Sequence, residues 1–83
     1  MLKVYGSLQC KDCVACKEAF EQKGIPFEYH DIADDLVALK EFLKIRDIHP
    51  LFDRVRQEGK IGIPCLVLED GTVTLNWEQI ADM

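Results

Sequence analysis

The chain has 83 residues, enough for one domain with a thin core. Apolar residues make up 48%, which argues for a folded globule and against disorder. The formal charge of −5 and an isoelectric point near 4.8 exclude a nucleic-acid binder, and the basic residues are too interspersed with acids to form a patch for anionic lipid.

Leu2-Lys3-Val4-Tyr5 reads as a short strand into which Met1 runs directly. No charged leader with a cleavage site is visible, and no apolar run could span a bilayer, so the expectation is a soluble, cytoplasmic protein. Through Gly6-Ser7-Leu8-Gln9 the strand reaches Cys10-Lys11-Asp12-Cys13-Val14-Ala15-Cys16, three cysteines at three-residue intervals. A helix follows and stops at Gly24. Cys13, Cys16 and Phe20 fall at i, i+3 and i+7 on it, one stripe facing the core, while Lys17 and Glu21 pair on the outer side.

Phe27 to Ile32 alternates well enough for a second strand. Strand, helix, strand in this span is a right-handed βαβ unit with parallel strands. Asp34 or Asp35 caps a second helix, for which Leu36, Leu39 and Leu43 are the expected inner face, with Phe42 at its margin. His49-Pro50 interrupts that helix, and a short one follows from Pro50 to about Glu58, with Phe52 and Val55 inward and Gly59 ending it. Lys60-Ile61-Gly62-Ile63-Pro64 leads into Cys65-Leu66-Val67-Leu68, an apolar run suited to a strand buried on both faces. Glu69-Asp70-Gly71 reads as a hairpin turn, Thr72 to Leu75 as the returning strand, and Trp77 to Met83 as a last helix capped by Asn76. No repeat or linker interrupts the chain, so residues 1–83 read as a single domain of α/β class.

Two cysteines where a strand hands over to a helix are placed for thiol chemistry, because unpaired N–H groups and the helix dipole favour thiolate there. Cys10 is the expected nucleophile and Cys13, one turn on, the resolving thiol. Lys11 supports the thiolate, whereas the Asp12 carboxylate opposes it and makes the couple more reducing. Cys16 and Cys65 are expected to pack as small hydrophobes, with Cys65 turned to the opposite face from Pro64. The alternative is a metal-binding or interaction module in which four thiolates hold zinc or an iron–sulfur cluster. His30 and His49 lack partners at ligand spacing and read as surface or capping residues. Arg54, Arg56 and Lys60 read as a solvated face.

With this element order the chain resembles the glutaredoxins over nearly its whole length. The resemblance rests on Val4-Tyr5 followed by Cys10-Lys11-Asp12-Cys13, the helix ending Lys23-Gly24-Ile25-Pro26-Phe27, the acidic Asp31, and Gly62-Ile63-Pro64 opening a strand before the Gly71 hairpin. It implies a thioredoxin/glutaredoxin-type fold, a four-stranded mixed sheet with helices on both faces, acting as a monomer on a disulfide-containing protein or a glutathione mixed disulfide. No bound cofactor is expected, and the reductant is left open between glutathione and thioredoxin reductase. The resemblance also implies a cis Ile63-Pro64 bond lying against the cysteines, with Lys11, Asp12, Ile63 and Pro64 forming the substrate surface. Departures are clear. Lys11 and Asp12 replace the usual Pro and Tyr, Ser7 stands where a Lys is common, and Leu75-Asn76-Trp77-Glu78 replaces the Gly-Gly and acidic residue that hold glutathione. Pro50 to Glu58 is an insertion relative to the smallest members.

Overall fold

Four strands and four α-helices follow one another in the order β-α-β-α-α-β-β-α in a computed structural model that describes residues 1–82. Strand β1 is Leu2–Gly6, helix α1 Lys11–Gln22, β2 Phe27–Asp31 and α2 Leu36–Ile48. A 3-10 turn, Pro50–Phe52, leads into α3, Asp53–Gln57, and the chain ends with β3, Cys65–Val67, β4, Val73–Thr74, and α4, Trp77–Ala81. Met83, the expected end of the last helix, lies outside the described residues.

The sheet order is β2-β1-β3-β4. β1 and β2 run parallel, with Leu2 opposite Phe27 and Gly6 opposite Asp31, as a βαβ crossover requires. β3 lies antiparallel on the other side of β1, with Tyr5 opposite Cys65, and β4 is antiparallel to β3. Alternation along these strands sorts the core into two clusters. Val4 and Leu66 pack with Cys16 and Phe20 of α1 and Ala81 of α4, flanked by Trp77 and Ile80. Tyr5 and Cys65 pack with Phe42 of α2 and Phe52. Helices therefore cover both faces, as the element order implied.

Local chemistry explains the ends. The Ile25 N–H closes back on the Phe20 carbonyl at 2.9 Å past a left-handed Gly24, ending α1. Asp35, rather than Asp34, caps α2 by accepting from the Val37 and Ala38 N–H groups. The His49 ring nitrogen accepts from the Leu51 N–H at 3.2 Å and starts the 3-10 turn, and Asn76 accepts from the Gln79 N–H to start α4.

Two expectations need correction. The buried residues of α2 are Ala38 and Phe42, with Ile45 packed beside them, whereas Leu36 is 65% exposed and Leu43 lies at the surface. The helix is apolar on more than one stripe, and contact with Tyr5 and Phe52 selects the one that turns inward. Arg56 does not belong to a solvated face. Its guanidinium donates to the Arg46 carbonyl and to the Asp53 carboxylate, joining α3 to the end of α2.

Candidate active site

The site begins with a turn that delivers Cys10 to the start of α1. The Ser7 hydroxyl accepts the Gln9 N–H at 3.1 Å, and the Ser7 carbonyl accepts the Cys10 N–H at 3.0 Å. Cys10 then takes the N-cap position with extended backbone angles, φ −99° and ψ 123°. A cap position calls for a side-chain acceptor to satisfy an unpaired helix N–H. Here a sulfur does it: Cys10 Sγ accepts the Cys13 N–H at 3.4 Å. Negative charge on that sulfur meets an N–H dipole and the positive end of the helix.

Cys10 is partly exposed and Cys13 fully buried, both as free thiols. Burial pushes the Cys13 thiol up to about 12; a backbone hydrogen bond from Ser7 opposes the rise, and the adjacent Cys10 adds to it. The pair is asymmetric. One sulfur meets solvent, and the other is sealed from it.

Cys10 forms one wall of an open groove of about 390 Å³ whose other walls are Val55, Gly59, Lys60, Ile61, Gly62 and Ile63. The Ile63-Pro64 bond is cis, as expected, with Ile63 in the groove wall and Pro64 buried beneath. Gly62 has φ +92°, and a Cβ there would stand 2.7 Å from the Phe52 ring. Only glycine fits. Lys11 and Asp12 are exposed on the first turn of α1 and flank Cys10 without lining the groove. A second cavity, of about 350 Å³, is lined by Leu2, Pro26, Leu68, Glu69 and Asp70. It contains no cysteine and lies at the other end of β1.

Three contributors were not singled out in the sequence. The Arg46 guanidinium donates to the Ile61 carbonyl at 2.8 Å and the Lys60 carbonyl at 2.7 Å, pinning the groove wall to α2. Its place in the last turn of a helix gave no hint of that reach. Gly6 approaches the Cys13 sulfur so closely that a Cβ would stand 2.9 Å from it. The Tyr29 hydroxyl lies against the same spot, sealed from solvent and without a hydrogen-bond partner. Leaving such a group unpaired costs roughly 1–3 kcal/mol.

The four cysteines do not gather into a ligand set. Cys16 packs with Val4, Phe20 and Leu66, while Cys65 packs with Tyr5 and Phe42 on the other face of the sheet. Among the described residues no three His, Cys, Asp or Glu side chains are grouped to hold a metal ion. Burial pushes both the Cys16 and Cys65 thiols up to about 12, consistent with packing roles. His30 is half-buried, not at the surface, and stacks on Tyr5 with ring centroids 5.0 Å apart. Asn76 is engaged in capping α4, and Glu78 behind it is exposed.

A four-stranded β2-β1-β3-β4 sheet, a C-x-x-C opening the helix after β1, and a cis-proline opening β3 together define a thioredoxin-type fold. Within that class, the sequence profile of the glutaredoxins matches residues 2–72, and the chain belongs to the glutaredoxin family. An uncharacterized protein of Haemophilus influenzae is 30% identical over 71 residues, which cover 86% of this chain and 83% of that protein. No solved structure matches the chain. Among the described residues no helix is long and apolar enough to cross a membrane.

Proposed function

We propose that this protein is a small thiol–disulfide oxidoreductase in which Cys10 attacks and Cys13 resolves. The observation that carries the reading is the Cys10 sulfur, at the N-cap of α1 and in the groove wall, accepting the Cys13 N–H at 3.4 Å. A thiolate there is stabilised by the helix end and accessible to a substrate disulfide.

The Cys10 thiolate attacks one sulfur of the substrate disulfide, forming a mixed disulfide and releasing the other sulfur as a thiolate. Cys13 then loses its proton and attacks Cys10 Sγ. A Cys10–Cys13 disulfide forms, and the second substrate sulfur leaves with its electron pair. The substrate has gained two electrons and the protein has lost them. Two glutathione molecules, or a reductase of the thioredoxin-reductase type, return them.

The substrates are a disulfide-containing protein or a glutathione mixed disulfide, lying along the groove beside Ile63 and over Pro64. Lys11 and Asp12 act at its rim through their charges. A reducing compartment, the cytoplasm, keeps the dithiol in its working state, and the protein works there as a monomer.

The test is reduction of a glutathione mixed disulfide, with glutathione and with thioredoxin reductase as alternative electron sources. The Cys10→Ser variant is expected to lose the activity. Cys13→Ser is expected to retain only attack, stopping at a mixed disulfide unless external thiol resolves it. A Cys10→Ser variant that works at the parent rate would refute the assignment.

A further inference from the structure

The Cys13 sulfur and the Tyr29 hydroxyl converge on one small volume at the end of β1. A Cβ built on Gly6 would lie 2.9 Å from Cys13 Sγ and 3.0 Å from the Tyr29 hydroxyl oxygen. Both atoms thus crowd the place where any other residue would carry its first side-chain carbon. Tyr29 reaches it from β2, where it is paired with Val4 of β1. Its hydroxyl is sealed from solvent and donates to nothing. The other titratable groups acting on it are Cys10, Cys16 and Asp31.

A buried donor with no acceptor beside a sulfur that must become anionic suggests that its partner appears during the reaction. Burial pushes the Tyr29 phenol up to about 12, so it keeps its proton at ordinary pH and has that proton to donate. The Cys13 thiol is pushed up as well, chiefly by the same loss of solvent. A thiolate in that pocket needs a donor, since water cannot reach it.

We propose that the Tyr29 hydroxyl is the hydrogen-bond donor that stabilises the Cys13 thiolate as it attacks the mixed disulfide on Cys10. In that step the Cys13 proton is taken up by the departing substrate sulfur. The Cys13 electron pair forms the Cys13–Cys10 bond, the bond between Cys10 and the substrate sulfur breaks, and the substrate leaves as a thiol. Tyr29 keeps its own proton throughout, and Gly6 leaves the space in which the two groups meet. The inference rests on the reading of Cys10 and Cys13 as a dithiol couple and assigns a role within it.

Stopped-flow reaction of the reduced protein with 5,5′-dithiobis(2-nitrobenzoate) separates the two steps. Attack by Cys10 releases a first thiobenzoate in a concentration-dependent phase, and attack by Cys13 releases a second in a concentration-independent one. The Tyr29→Phe variant removes one oxygen that makes no hydrogen bond in the resting protein, so its thermal midpoint should be unchanged or raised. It is expected to leave the first phase unchanged and slow the second about tenfold at each pH, an alkaline displacement of the rate profile by about one unit. An unchanged second phase overturns the proposal, as does equal slowing of both phases, which would indicate a general disturbance. A parent protein that releases no second thiobenzoate refutes the dithiol couple itself, and this role with it.

Discussion

The Arg46 guanidinium reaches from the last turn of α2 to the Ile61 carbonyl, 2.8 Å away, and fixes one wall of the groove beside Cys10. A second bond from the same side chain, to the Lys60 carbonyl, makes the contact a two-point clamp. The segment that carries α3 is thereby tied to the groove beside Cys10. Arg56, bonded to the Arg46 carbonyl, holds the same helix end from below.

Removing the clamp should loosen the groove wall. For Arg46→Ala we expect a stability loss of about 1.5–3 kcal/mol, the range for hydrogen bonds to a charged group. Attack by Cys10 on a protein disulfide should slow, while alkylation of Cys10 by a small reagent should not. Urea unfolding and the two rates check this together. A variant as stable as the parent with unaltered rates would show that the loop holds its shape unaided.

Asp12 is exposed on the first turn of α1, two residues after Cys10. Neutralising it favours the reduced, thiolate-bearing form. The Asp12→Asn couple should therefore be more oxidising, its potential rising by about 10 mV, since solvent and salt screen an exposed charge. Equilibration with a glutathione redox buffer at low ionic strength measures this. A fall in potential would contradict the role given to the carboxylate.

Alkali should unfold the protein by a predictable route. Burial raises the Cys16 and Cys65 thiols from an ordinary 9.0 to about 12. Below about pH 9 both folded and unfolded chains hold these protons, and the stability is fully present. Between 9 and 12 the unfolded chain gives them up first, so stability falls as pH rises, by up to about 1.4 kcal/mol per group per pH unit. Urea midpoints at successive pH values should decline over that window, and less steeply in Cys65→Val. Parallel declines in the two proteins would remove Cys65 from the account.

Cys16 should be dispensable for chemistry. It is buried among Val4, Phe20 and Leu66, on the helix stripe below Cys13. Cys16→Ala is expected to lose about 1 kcal/mol of stability, for one heavy atom removed from the core, and to keep the parent rate of disulfide reduction. Loss of activity in a folded Cys16→Ala protein would return the third cysteine to the site.

The sequence determined the features that depend on near neighbours. The C-x-x-C at a strand-to-helix junction, the inward stripe of Cys13, Cys16 and Phe20, the element order, and the turn residues follow from local periodicity and backbone preference. The resemblance to glutaredoxins supplied the cis bond at Pro64. The burial of Cys16 and Cys65 was legible too, since helix spacing sends Cys16 to the core and strand alternation turns Cys65 away. Tertiary structure decided what depends on packing between distant segments. In α2, Leu36, Leu39 and Leu43 form as plausible a stripe as Ala38, Phe42 and Ile45, and only contact with Tyr5 and Phe52 distinguishes them. Arg46 on Ile61, and Tyr29 beside Cys13 at Gly6, bring together groups far apart in the chain, and no local spacing records such a meeting.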